Sequence, residues 1–208
     1  MLGAIIAGIA GAVGSIATAA VSVVKSLAVV GMAVEGLKSI GKVLVNLAKS
    51  LGLIKPQMQV DELGDKAIQS GYDPGQYDTY NDYVKAVENF NLDPEKSKTI
   101  SEEEKIKKGM ELATGVMIEK YKDSPMEKFC VEIGNRPDFF NEGVLKGVGE
   151  LVVSDENAIS DFTSFLDGTL KNDDKLEDIS GKLADLYKAG NPGVSDGEAL
   201  DAVFGARK

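Results

Sequence analysis

The sequence predicts an all-α protein in two parts. A long N-terminal apolar heptad helix over residues 1–55 would form an oligomeric coiled-coil rod, and a compact acidic multi-helix domain would follow over residues 56–208. Three observations carry this expectation. Apolar or small residues recur every 3.5 residues through the first 54 positions, helix-start signals recur at short spacing through the remainder, and no stretch sustains the alternation of a strand.

In the first part, residues 1–24 carry no charge, and Lys25 is the first charged side chain. With Leu2 at heptad position a, the a sites are Leu2, Ile9, Ile16, Val23, Val30, Leu37, Leu44 and Leu51. The d sites are Ile5, Ala12, Ala19, Ser26, Ala33, Ile40, Leu47 and Ile54. Lys25, Glu35, Lys38, Lys42 and Lys49 fall at b, c or f, away from this seam. A repeat of this length is what supercoiled helices require. At about 1.5 Å per residue the rod would be roughly 80 Å long.

The flanking e and g sites, among them Ile6, Val13, Ala20, Leu27, Ser15, Ser22 and Val29, are apolar or small where a two-stranded coil places Glu and Lys. The expected oligomer therefore has three or more chains. Gly8, Gly11, Gly14 and Gly31 would permit close backbone approach, and each weakens an isolated helix by up to about 1 kcal/mol relative to Ala.

Three other readings of this stretch exist. Ala17-Thr18-Ala19 imitates a signal cleavage site, but no basic n-region precedes the apolar run. Residues 1–24 are long enough to span a bilayer, with the lysines from Lys25 to Lys55 as a basic flank. A hairpin turning near Gly31–Gly36 would pack both halves into the protein's own core, although no proline or Asn-Gly turn chemistry marks it.

Pro56 closes the first part. QVDELGDKAIQ predicts a short helix, and Asp78 or Thr79 caps another through about Phe90 with Tyr80, Tyr83, Val84 and Val87 inward. Ser101 with Glu104 is a capping box for a helix with Ile106, Met110, Ala113, Met117 and Tyr121 on one face. Pro125 opens a helix containing Phe129, Cys130 and Ile133, and Pro137 opens another with Phe140, Val144, Val148 and Leu151. Ile159, Phe162, Phe165 and Leu166 mark the next, then Leu176, Ile179, Leu183, Leu186 and Tyr187. Ser195 with Glu198 is a second capping box before Leu200, Val203 and Phe204.

The net charge is −10, and because residues 1–55 hold five lysines against Glu35, the rest carries a net −14. Such a body repels phosphate backbones, so no nucleic-acid partner is expected. The chain has no histidine and one cysteine, which removes the commonest general base and any intramolecular disulfide. Cys130, among apolar neighbours, reads as a buried, inert thiol.

The stretch DPEKSKTISEEE, 93–104, resembles an EF-hand loop: Asp93, Glu95, Ser97, Thr99, Ser101 and Glu104 occupy the ligand offsets and Ile100 the apolar site. Lys98 stands where that loop needs glycine, and Lys96 opposes a cation. The competing reading is an acidic loop feeding a capped helix, so calcium is only a candidate and no metal or cofactor is expected. The acidic run NDDKLED, 172–178, could pair carboxylates for acid–base work, but reads as a solvated helix start. No GxSxG, phosphate loop, HExxH or CxxC occurs, and no enzyme activity is expected.

In general character GAIIAGIAGAVGSIATAAVSVV resembles the Gly/Ala-rich helices of phage tail tape-measure and related internal tail proteins. The resemblance covers about the first quarter of the chain. It implies a non-enzymatic structural or assembly role, as a baseplate, hub or tail-tip accessory of a phage tail-like or contractile injection particle, with other assembly proteins as partners. The alternative is a membrane-active protein, pore-forming, holin-like or a secreted effector, that inserts residues 1–24. On the two-part reading, deletion of residues 1–55 would leave a cooperatively melting helical monomer.

Overall fold

The computed structural model describes residues 2–27, 32–155 and 157–207, with side chains from Gly11 onward. All regular structure among the described residues is helical: α1 Leu2–Leu27, α2 Val34–Ser50, α3 Val60–Ser70, a 3₁₀ turn Pro74–Gln76, α4 Tyr80–Glu88 and α5 Pro94–Ser97. These are followed by α6 Glu102–Lys120, α7 Met126–Gly134, α8 Glu142–Ser154, α9 Asn157–Leu166, α10 Asp173–Gly190 and α11 Asp196–Ala206. The all-α expectation is met.

The cap chemistry acts where the sequence places it. Thr79 accepts from the Asp82 amide at the start of α4. Ser101 and Glu104, and likewise Ser195 and Glu198, form reciprocal boxes. The helix expected from Pro137 starts later, at Glu142, because the Asn141 carboxamide oxygen accepts from the Val144 amide at 3.1 Å and fixes the first turn there.

Helix α6 is the hub, packed against α1, α2, α3, α4 and α7, with Ile106, Met110, Leu112, Ala113 and Met117 fully buried. Its contact with α3 is very close. A β-carbon on Gly64 would collide with the Lys105 carbonyl oxygen, and one on Gly109 with that of Val60, so each glycine admits the other helix's backbone. Beside this crossing, Lys105 pairs with the buried Asp65 at 3.0 Å. A second layer of α8, α9, α10 and α11 is joined to the hub through α2 and α7. Arg136, just after α7, ties that helix to the ends of α9 and α11, donating to Glu132 Oε2 at 2.7 Å, to the Leu166 carbonyl at 2.9 Å, and to the Ala206 carbonyl.

The heptad run is carried by two helices. α1 ends at Leu27, Met32 and Ala33 are non-helical, and Ala33 has the extended backbone (φ −62°, ψ 148°) of a residue preceding α2. Residues 28–31, including Val30, lie outside the described residues. Both helices pack chiefly on α6; α1 also packs on the 3₁₀ turn and α7, and α2 also packs on α8 and α7. Leu37, Ile40, Leu44, Leu47, Leu51 and Ile54 belong to the same buried cluster as the body's core residues. Pro56, the expected boundary, therefore sits between two helices that share one core.

Candidate functional site

Helix α1 is seated by one edge. Val13, Ala20, Val23, Val24 and Leu27 are buried, with Ile16 and Ala17 half-buried beside them. In the heptad register these are the a, e and b positions. The body thus covers the a side of the expected seam and leaves the d side open: Ala12 and Ser26 are exposed and Ala19 is half-buried. At the C-terminal end Leu27 rests on Gly134 of α7.

The outward arc consists of Gly11, Ala12, Ser15, Thr18, Ser22, Lys25 and Ser26. Three of its hydroxyls turn back on their own helix. Ser15 donates to the Ala12 carbonyl at 2.7 Å, Thr18 to that of Gly14 at 2.9 Å, and Ser26 to that of Ser22 at 2.9 Å. Such back-bonding satisfies the hydroxyls locally and leaves a smooth, uncharged surface up to Ser22. Gly11 and Gly14 meet nothing within 4 Å at the place of a β-carbon. Packing within the chain therefore does not explain them, whereas it does explain Gly64, Gly109 and Gly134. Among the described residues, no helix is long and apolar enough to cross a membrane.

Alongside α1, the half-buried Ile16 and the exposed Ala12 border a cleft of about 480 Å³ whose other walls include Leu53, Val116 and Glu119. Glu119 accepts from the amides of Tyr80 at 2.7 Å and Asn81 at 2.8 Å, so its carboxylate caps α4. Sequence spacing gives no signal for this cap, because its two halves are nearly forty residues apart.

The remaining seam residues divide by helix. Leu37, Ile40, Leu44, Leu47, Leu51 and Ile54 are buried within the chain, and Ala33 is exposed. The side chains of Leu2, Ile5 and Ile9 lie outside the described residues. Of the lysines assigned to the outer face, Lys38 pairs with Glu102 at 2.7 Å and Asp61 at 3.6 Å, Lys42 is exposed, and Lys49 is half-buried.

The calcium candidates are engaged in helix ends. Asp93 caps α5, accepting from the Glu95 amide at 3.0 Å, and Glu95 pairs with Lys98 at 2.7 Å. Ser97 accepts from Gln69, Thr99 donates to the Lys96 carbonyl, and Glu104 completes its box with Ser101. Among the described residues no group of three or more acidic or Cys side chains could hold a metal. In the 172–178 run, Asn172 caps α10 through the Lys175 amide and Asp178 pairs with Lys182 at 2.7 Å. Cys130 is fully buried, and burial pushes its thiol up to about 12, which keeps it protonated and unreactive at neutral pH.

No protein-family model matches this chain, and comparisons with curated proteins and with solved structures likewise find nothing similar to it.

Proposed function

We propose that this chain is a non-enzymatic assembly protein that associates with copies of itself, three or more together, through the outward arc of α1. The observation that carries this reading is the arc itself: small, uncharged as far as Ser22, with the Ser15, Thr18 and Ser26 hydroxyls satisfied internally and with Gly11, and Gly14 at its border, not required by the chain's own packing. Faces of small residues let helix backbones approach closely, and the open d side is the half of the heptad seam that the body leaves uncovered. The acidic helical body would keep such an assembly soluble through its net negative charge and offer surface to other assembly proteins. The absence of basic character argues against nucleic acid as a partner.

Under this reading, the resemblance of the Gly/Ala-rich helix to internal tail proteins suggests an accessory position in a phage tail-like or contractile injection particle. Association would involve α1 alone, since the seam residues of α2 are committed to the core.

The second reading, insertion of the N-terminal segment in a membrane, draws on the same arc, because internally bonded hydroxyls and an uncharged surface also suit acyl chains. Site-specific crosslinking separates the two. Ser15→Cys adds one exposed thiol to a chain whose only native thiol is buried. A disulfide forms only when the Cα atoms come within about 7 Å. Rapid oxidative crosslinking of Ser15→Cys without lipid, and none of a control Asp201→Cys on the exposed side of α11, is the expected result. Crosslinking that appears only when liposomes are present would favour the membrane reading.

A further inference from the structure

Among the described residues, almost every half-buried lysine has a partner that compensates its lost hydration. Lys105 lies on Asp65 at 3.0 Å and Lys108 on Glu111 at 2.9 Å, and Lys55 donates to the Asn89 carboxamide oxygen at 2.6 Å. Lys49 is the exception. It is half-buried and makes no ion pair, and its nearest acceptor is Asn46 Oδ1 at 3.4 Å.

The Lys49 amine borders a cleft of about 420 Å³. Asn46, Lys49 and Ser50 of α2 form one wall, and Glu142, Gly143 and Lys146 of α8 form the other. Lys42 lies in the adjoining depression, which shares Asn46 and Glu142. Three lysines against Glu142 and Asp138 leave this part of an acidic protein with a local excess of positive charge that favours anions.

We propose that Lys49 is a nucleophilic amine and a site of covalent acylation by small anionic acyl donors of the acyl phosphate class. The physical basis is uncompensated desolvation. A shielded ammonium with no carboxylate at ion-pair distance gives up its proton more readily than an exposed one, and the free amine is the nucleophile. Burial lowers the Lys49 pKa, and the charge of Glu142 opposes this without cancelling it. In the reaction the Lys49 Nζ lone pair attacks the acyl carbon and forms the C–N bond of an amide. The acyl C–O bond breaks, inorganic phosphate departs, and the amine proton leaves with it. The product removes one positive charge and adds bulk between α2 and α8.

The test uses the full chain and acetyl phosphate at mildly alkaline pH, with initial acetylation rates measured lysine by lysine by mass spectrometry. Lys42, exposed on the same helix, is the reference. The expected result is acetylation of Lys49 several-fold faster than Lys42, with the difference vanishing in concentrated urea. Glu142→Gln, which removes the charge that favours the ammonium, should speed Lys49 further. A native Lys49 rate equal to or below that of Lys42, a preference that survives unfolding, or a slower Lys49 in Glu142→Gln would each overturn the proposal.

Discussion

Leu27, the last residue of α1, lies directly over the bare Cα of Gly134 on α7: a β-carbon at position 134 would stand 2.9 and 3.0 Å from its two δ-carbons and 3.4 Å from Ile40 Cγ2. The contact fastens both N-terminal helices to the body at one point. Leu27→Ala should cost about 2–5 kcal/mol, the range for buried leucine truncations, read from urea unfolding. Gly134→Val should cost a further overpacking penalty of about 1–3 kcal/mol. If either variant were as stable as the parent, α1 would not be part of the core.

The shared core also fixes the outcome of deletion. Removing residues 1–55 takes away Leu44, Leu47 and Ala48, which are completely buried, and uncovers the α6 surface that α1 and α2 cover. The truncated chain should lose its cooperative thermal transition by circular dichroism. This reverses the expectation from a separable rod and head.

At the α3–α6 crossing, Gly64→Ala and Gly109→Ala each drive a β-carbon into a carbonyl oxygen of the facing helix. Backbone cannot rotate aside, so each should destabilise by about 3 kcal/mol, the upper part of the overpacking range. Because a single outward shift of α3 relieves both clashes, the double variant should cost less than the sum of the two. Additive losses in a double-mutant cycle would contradict the reciprocal packing.

Arg136 and Glu132 form a buried pair whose guanidinium also holds the Leu166 and Ala206 carbonyls. Arg136→Met takes one donor from the Glu132 carboxylate and one from each of three carbonyls, those of Glu132, Leu166 and Ala206. A loss of about 3–5 kcal/mol is expected, as for other broken buried pairs. Hydrogen exchange should rise first in α11, the helix whose end Arg136 holds.

Asp167 supplies an acid-dependent term. Burial alone would raise its pKa, but hydrogen bonds from Lys128 and Thr169 outweigh this and hold the carboxyl down at about 2. An unfolded Asp titrates near about 3.9, so on acidification the unfolded chain takes up the proton first. The stabilisation is present above that pH and is lost as pH falls from about 5 towards about 2. Asp167→Asn should be less stable at neutral pH and show a shallower acid limb in a series of urea midpoints.

The helix starts were legible because caps are local. Ser101 with Glu104 and Ser195 with Glu198 act over three residues, and nothing distant can redirect them. The same locality explains the calcium resemblance: Asp, Ser, Thr and Glu are both oxygen ligands and the residues that start helices, and at Asp93 and Ser101 they cap.

The heptad run was legible as helix but not as to what covers it. A stripe at 3.5-residue spacing buries equally well against a second chain or against the chain's own α6, α7 and α8. Only tertiary placement separates Val13, Ala20 and Leu27, which face the body, from Ala12, Ser15 and Ser22, which face away. The Lys49 cleft likewise depends on α8, nearly a hundred residues onward.

The most direct test of association through α1 is the molar mass of the full chain by light scattering in detergent-free buffer, for the parent and for Ser15→Lys with Ser22→Lys. Both positions are exposed, so the substitutions should change stability by no more than about 0.5 kcal/mol. The parent is expected to run as a discrete oligomer of at least three chains, and the double variant as a folded monomer with an unchanged melting curve. A monomeric parent, or an oligomer whose mass survives both lysines, would contradict association through this face.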